Sequence, residues 1–190
     1  MEGGAGGRRA QTKITAAGYL PPAVVRQIAQ DAGITQTRIG TANREDQTWP
    51  VAALREATQA TGLLRKAMGT LRPTARARAV ADNPRELVAT VLARLPLGKG
   101  FEAEAGWFSL LGLAAGVDGP ELHEGVARIL TDRGWRGPGR SEVSSDDAGL
   151  GAQATLDVLR AMTWPCMTTD LTLLRVLARA TLLGVAAPSQ

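Results

Sequence analysis

The sequence predicts a mainly α protein, a helical domain with one or two winged helix-turn-helix-like units and short β-hairpin wings. Three observations carry that fold class. Of the 190 residues 44% are hydrophobic but only 4% aromatic, so the core has to be built from Leu, Val and Ala, and Ala and Leu are strong helix formers. Apolar residues recur at helical spacing between proline, serine, threonine or asparagine openings and glycine stops. Residues 61–78, TGLLRKAMGTLRPTARAR, give a helix end, a glycine stop, a basic strand, a tight turn, a second strand and a helix start, which is the back half of a winged unit.

The organisation expected is a disordered tail over 1–12, a winged-helix-like unit over 13–96, and a helical region over 97–190. The last region has room for a second, degenerate winged unit, and 13–96 and 97–190 are also compatible with one compact domain. Residues 15–22, TAAGYLPP, form a turn feeding a helix in which Pro22 takes the first position, where its missing N–H costs nothing. That helix covers 23–32, with Val24, Val25 and Ile28 apolar, and Gly33 ends it. Residues 34–49 are polar loop and contain Asn43-Arg44-Glu45-Asp46. Thr48 or Trp49 precedes a helix opened by Pro50, covering 51–60. Val51, Leu54, Ala57, Thr58 and Thr61 share its buried face, with Arg55, Glu56 and Gln59 roughly opposite. Gly62 follows the helix end. Residues 63–68 and 71–73 pair as a hairpin around Gly69. Thr74 caps a short helix through Val80, and Asn83-Pro84-Arg85-Glu86 opens a helix to about Leu95 with a cap, a first-position proline and a returning glutamate.

Residues 97–100 are a linker. The stretch 101–115 is nearly all apolar or small and predicts a buried helix. Gly119-Pro120 opens the next, with Leu122, Val126, Ile129 and Leu130 as its stripe and Gly134 as its stop. Residues 135–144 are loop. Ser145 caps a helix over 146–162 whose acidic first turn suits the helix dipole. Trp164-Pro165 breaks the chain, and Thr169 or Asp170 caps a last helix to about Leu183. Leu64-Arg65-Lys66-Ala67-Met68 is echoed by Leu159-Arg160-Ala161-Met162, each before a Thr-led, Arg-containing helix. The echo is either a second winged unit or chance in an Ala/Leu/Arg-rich chain.

The formal net charge is +4, which admits nucleic acid or an anionic surface as partner. Lys13, Lys66 and Lys99 are the lysines of an otherwise Arg-rich, Ala- and Gly-rich chain, a composition that also follows from a high-GC bacterial genome. The charge is uneven. No acidic residue lies between Glu56 and Asp82, whereas Arg65, Lys66, Arg72, Arg76 and Arg78 are basic. In a winged unit the second helix enters the major groove and the wing touches the backbone. Arg55 and Gln59 would then face bases, and Arg65, Lys66, Arg72, Arg76 and Arg78 would meet phosphates. Glu56 on the same exposed face opposes phosphate, which leaves a protein partner or a homodimer open. The small residues of 101–115 would permit close helix packing in such a dimer.

Little else points to chemistry. His123 and Cys166 are the single histidine and cysteine, so no internal disulfide forms and a metal site is not expected. His123 reads as a structural or surface residue and Cys166 as a packing thiol. Gly98-Lys99-Gly100 is too short for a phosphate loop, and Gly137-Pro138-Gly139 is a turn. Glu102 and Glu104 diverge on a helix, Asp146/Asp147 suits a helix N-terminus, and Glu45/Asp46 beside Arg44 suits capping and ion pairing. No catalytic constellation, cofactor or metal is expected. No stretch reaches the ~18 apolar residues of a membrane span, and MEGGAGGRRAQTK lacks the apolar core of a signal peptide, so the expected location is cytoplasmic with no membrane partner.

The segments ITAAGYLPPAVVRQIA, TANREDQTWPVAALREATQATGLLRKAMGTL and PTARARAVADNPRELVATVLARLP, in that spacing, resemble a family of actinobacterial proteins. It is the plasmid-borne third-open-reading-frame family, the TnpR-labelled insertion-element passenger proteins. The similarity covers the C-terminal domain of that family and continues more weakly through Gly134-Trp135-Arg136 to the last helix. The family's N-terminal domain is not expected here. Its Thr-x-Arg-Gly-Arg turn appears as Thr74-Ala75-Arg76-Ala77-Arg78, with Ala77 in place of glycine. The resemblance implies an association with mobile elements and no established activity, and no recombinase serine or tyrosine site is matched. The expectation is a non-enzymatic DNA-binding or regulatory protein associated with mobile elements. The alternative is a helical protein–protein interaction or dimerisation module with a degenerate winged helix.

Overall fold

The computed structural model describes residues 11–34, 44–163 and 171–184. The N-terminal tail up to residue 10, Asn43, Trp164-Pro165, Cys166 and the cap at Thr169 or Asp170 lie outside them. The described chain is mainly helical, with one small three-stranded sheet.

Strand β1 (Thr12–Lys13) leads through a turn to α1 (Pro22–Asp31). A single 3-10 turn, Glu45–Gln47, precedes α2 (Trp49–Ala60), and a hairpin of β2 (Leu64–Ala67) and β3 (Thr70–Pro73) follows. The sheet order is β1-β3-β2, antiparallel throughout. The hairpin closes on Met68 and Gly69, with φ of 45° and 68°, the two left-handed residues that a tight two-residue hairpin turn demands. Val25, Ala29, Ile34, Val51 and Leu71 bury against one another as the core under this sheet. β1 falls partly within the expected tail. Thr12 and Ile14 are β-branched and alternate, and Ile14 is buried, so burial draws this short segment onto β3.

Two short helices, α3 (Ala75–Val80) and α4 (Pro84–Leu92), carry the chain onward. Both caps form as expected. Thr74 Oγ1 accepts from Ala77 N at 3.2 Å. Asn83 accepts from Glu86 N at 3.2 Å and donates to the Glu86 carboxylate at 2.8 Å. With Ala77 where the resembled family has glycine, α3 still starts directly after β3. The helix α4 stops at Leu92, short of the expected Leu95.

The larger core lies among α5 (Phe101–Ala115), α6 (Gly119–Asp132), α7 (Ser145–Met162) and α8 (Leu171–Leu182), with Leu110, Leu130, Val158, Leu159 and Ala178 almost wholly buried. α5 packs against α6, α7 and α8. Its C-terminal carbonyls are satisfied from α8, where Arg175 donates to Gly116 O at 3.0 Å and Arg179 to Ala114 O at 2.9 Å, as helix ends require. α7 also packs along α2 and so joins the two regions.

Several expectations need correction. The cap of α7 is Ser144, not Ser145, because only Ser144 has a carboxylate three residues on. Its Oγ accepts from Asp147 N at 3.1 Å and donates to the Asp147 carboxylate at 2.7 Å. Ile129 of the α6 stripe is exposed, and Ala127 takes a buried place. α5 is not buried all round, since Trp107 and Leu111 face outward. Leu159–Met162 ends a helix whereas Leu64–Ala67 is a strand. The echo is therefore not a structural repeat, and the described residues after β3 contain no strand.

Glu104 of α5 accepts from Arg133 Nε at 2.6 Å and from the Trp135 indole at 3.2 Å. These hydrogen bonds, from Arg133 first and Trp135 second, hold its carboxyl below the usual carboxylate range. The sign follows from linkage. A carboxyl with a depressed folded pKa stabilises the fold above its unfolded pKa, and that contribution is lost as pH falls through the folded value. Wild type should therefore melt above Glu104→Gln near neutral pH, and the Tm gap should close as pH is lowered through the acid range. A gap that is independent of pH would show that the charge is not what ties α5 to Arg133.

Candidate nucleic-acid interface

Residues directly opposite in an antiparallel ladder share a face. Arg65 lies opposite Arg72, Thr70 opposite both Ala67 and Lys13, and Leu71 opposite Lys66 and Thr12. One face of the sheet thus carries Lys13, Arg65, Ala67, Thr70 and Arg72. The other carries Leu71, which is buried in the N-terminal core. The sheet is basic on its outer face, and Lys66, opposite Leu71, is an exposed cation on the inner one.

Arg65 is exposed and Arg72 half-buried, its Nε donating to Thr70 Oγ1 at 3.1 Å, which orients the guanidinium along the sheet. Like charges directly opposite on a ladder destabilise it. Among the described residues no carboxylate pairs with either arginine, and Lys66 and Arg76 make no ion pair. Lys66 sits at the edge of the hairpin. Its ammonium reaches over the turn of residues 15–18, since a methyl group placed on Gly18 would lie 3.6 Å from Nζ. Lys13 and Lys66 flank an open depression of about 760 Å³ between that turn and Met68-Gly69 at the hairpin tip. Arg76 is exposed on α3. Arg78 is also exposed, but its Nη1 donates to Pro73 O at 2.6 Å and ties α3 back to β3.

The structure brings Arg55 and Gln59 together on α2, though not in a free pose. Arg55 Nε donates to Glu45 Oε1, and Nη1 donates to Gln59 Oε1 at 3.2 Å. The Glu45 side chain is fully buried, and its Oε2 accepts from Leu20 N at 2.6 Å. A base contact by Arg55 would require giving up this pair. Leu54, expected inside, is 40% exposed, while Arg55, expected outside, has a side chain only 17% exposed. Helical periodicity alone placed them the other way; the partner Glu45, delivered by the 3-10 turn, draws Arg55 in. The second side of α2 is also occupied. Ala52, Ala53 and Ala57 face Ala154, Val158 and Ala161 of α7 across a groove of about 570 Å³.

The polar side chains around α2 are held in structural hydrogen bonds. Glu45 uses both carboxylate oxygens for structure, and Arg44 pairs with Asp46 at 3.0 Å, which is the ordering role read from the sequence. His123 is half-buried on α6 against α7, where a methyl group on Gly149 would come 3.2 Å from its Nδ1. Among the described residues no three His, Cys, Asp or Glu side chains converge on one point, and no helix is long and apolar enough to cross a membrane.

Sequence reasoning missed two residues of this surface, Lys13 and Met68. The alternation of Thr12, Lys13 and Ile14 was the available signal for the first. The Met-Gly pair at a hairpin tip, where Asn-Gly is usual, was the signal for the second. No protein-family model, curated protein or solved structure matches this chain.

Proposed function

We propose that the chain is a non-enzymatic, winged-helix-like protein that binds duplex DNA through its phosphate backbone, with the β2–β3 hairpin as the wing. The observation that carries this reading is the Arg65–Arg72 pair, opposed across the hairpin with Lys13 on the same face and in no ion pair among the described residues. The order strand, helix, helix, hairpin, with β1 added to the second hairpin strand, supports it. Because α2 is flanked by α7 and Arg55 is held by Glu45, the reading rests on positioning contacts rather than base readout, so modest sequence preference is expected. The resemblance to plasmid-borne insertion-element passenger proteins extends the proposal to a regulatory role within a mobile element of a high-GC, actinobacterial host, in the cytoplasm.

Fluorescence anisotropy of a random duplex, titrated at several salt concentrations, tests this. Wild type should bind tightly at low salt and weaken steeply as salt rises. Arg65→Ala/Arg72→Ala should lower affinity and reduce the slope of log K against log salt by about 2, one unit for each phosphate lost. Equal affinity and slope in the variant would remove the wing from the interface, and no binding by wild type at low salt would sink the DNA reading.

One observation favours a second reading, a helical dimerisation module. Trp49, 60% exposed, and Leu150, 69% exposed, line the same alanine-rich groove between α2 and α7, and a second copy would cover both. Sedimentation velocity across a concentration series separates a monomer from such a dimer.

A further inference from the structure

Met68 stands at the tip of the hairpin and is 92% exposed, more than any other large hydrophobic residue among the described ones. Its φ is 45°. The turn demands positive φ at both central positions, which asparagine, aspartate or glycine supplies most readily. A methionine there is in a disfavoured backbone region and leaves a long apolar side chain in water. Both costs fall on one residue at the hairpin tip. What surrounds it is cationic. Lys13 and Lys66 line the depression that reaches Met68 and Gly69, and Arg65 and Arg72 lie further along the same hairpin.

An apolar point beside cations that make no ion pair among the described residues is what a backbone-bound protein needs to enter a groove. Apolar side chains, methionine among them, wedge between base steps from the minor groove and unstack them. Methionine is unbranched and polarizable, narrow enough for a groove about 6 Å wide. Pyrimidine–purine steps unstack most easily. We propose that Met68 is an insertion residue. With the wing seated on phosphates, its side chain enters the minor groove and partly unstacks a pyrimidine–purine step, bending the duplex. This rests on the backbone-binding reading above and adds the deformable duplex as the preferred ligand.

The test uses the full chain and a short duplex with 2-aminopurine in place of the adenine of a central TA step, beside a duplex whose centre is an A-tract. Wild type should raise 2-aminopurine fluorescence on binding and prefer the TA duplex, and Met68→Leu should do the same. Met68→Asn, with the residue the turn prefers, should melt at a higher temperature and keep the salt slope. It should give no fluorescence rise and bind the TA duplex about tenfold more weakly, in keeping with loss of one buried side chain. Wild-type binding without a fluorescence rise, or an equal rise from Met68→Asn, overturns the insertion while leaving the phosphate contacts standing. No wild-type binding to either duplex at low salt overturns both. Binding to phosphatidylserine vesicles in place of DNA, lost in Met68→Asn, also overturns it and assigns the tip to a lipid surface.

Discussion

Glu45→Ala should lower stability by about 3–5 kcal/mol, the range for breaking a buried ion pair by removing one partner. In a chain of this length that is a fall of roughly 10 °C in Tm, and a large share of the ~5–15 kcal/mol that holds a domain folded. The carboxylate has two tasks. It accepts the buried Leu20 N–H at 2.6 Å and the Arg55 Nε–H. It thereby fastens the start of α1 and the middle of α2 to one 3-10 turn. The alanine leaves a buried amide unpaired, worth about 1–3 kcal/mol, and a guanidinium that keeps only Gln59.

The two tasks separate experimentally. Glu45→Leu/Arg55→Met removes both charges, so it should recover most of the electrostatic loss but not the Leu20 amide. Asp46→Ala is the control. Its partner Arg44 is 60% exposed and Asp46 itself 37%, so it should cost under about 1 kcal/mol. Chemical denaturation of the four proteins decides the matter. If Glu45→Ala and Asp46→Ala were equally mild, Glu45 would not be the fastening point. The pair also bears on function, because Arg55 is a structural residue as long as Glu45 holds it.

How much of this was legible in the sequence follows from the range of the interactions. Local signals placed the helices well. Asn83 with Glu86, Thr74 three residues before Ala77, and Gly62 after α2 each act within one turn of chain, and each occurs as read. The cap expected at Ser145 forms one residue earlier, since the carboxylate of Asp147 completes a capping box only with Ser144. What failed depended on distant partners. Strand β1 exists because Thr12 finds Leu71, and no window around Thr12 contains Leu71. Arg55 points inward because of Glu45, which helical periodicity does not see. α2 carries a second packed face because α7 lies against its alanines. Ala52, Ala53, Ala57 and Ala60 were a visible hint, since small residues along one side invite a close helix. The basic cluster at Arg65, Lys66 and Arg72 was legible as a cluster. That Arg65 and Arg72 oppose each other needed the hairpin register, and that Lys13 joins them needed β1.

Close helix packing also sets the second large effect, at Gly106 of α5. A methyl group there would come 2.6 Å from Thr155 Oγ1, 3.2 Å from Thr155 Cβ and 3.0 Å from Pro96 Cβ. None of these can retreat easily. Thr155 is buried on α7 and its Oγ1 accepts from Leu97 N at 3.0 Å, so turning the hydroxyl away would orphan a backbone amide. Helix propensity works in the opposite direction, because alanine is better than glycine inside a helix by about 1 kcal/mol. Overpacking of a tight core costs about 1–3 kcal/mol, so Gly106→Ala should be destabilising by a small net amount. Gly106→Val adds two further methyl groups and loses the propensity gain, so it should be destabilising by about 3 kcal/mol or more. Gly125, inside α6, supplies the comparison. A methyl group there meets nothing within 4 Å, so Gly125→Ala should stabilise by about 0.5–1 kcal/mol. Urea denaturation of the three variants tests the argument through its signs. If Gly106→Ala were as stabilising as Gly125→Ala, the α5–α7 approach would be looser than the distances imply, and Gly106 would be no more than a helix residue of low propensity.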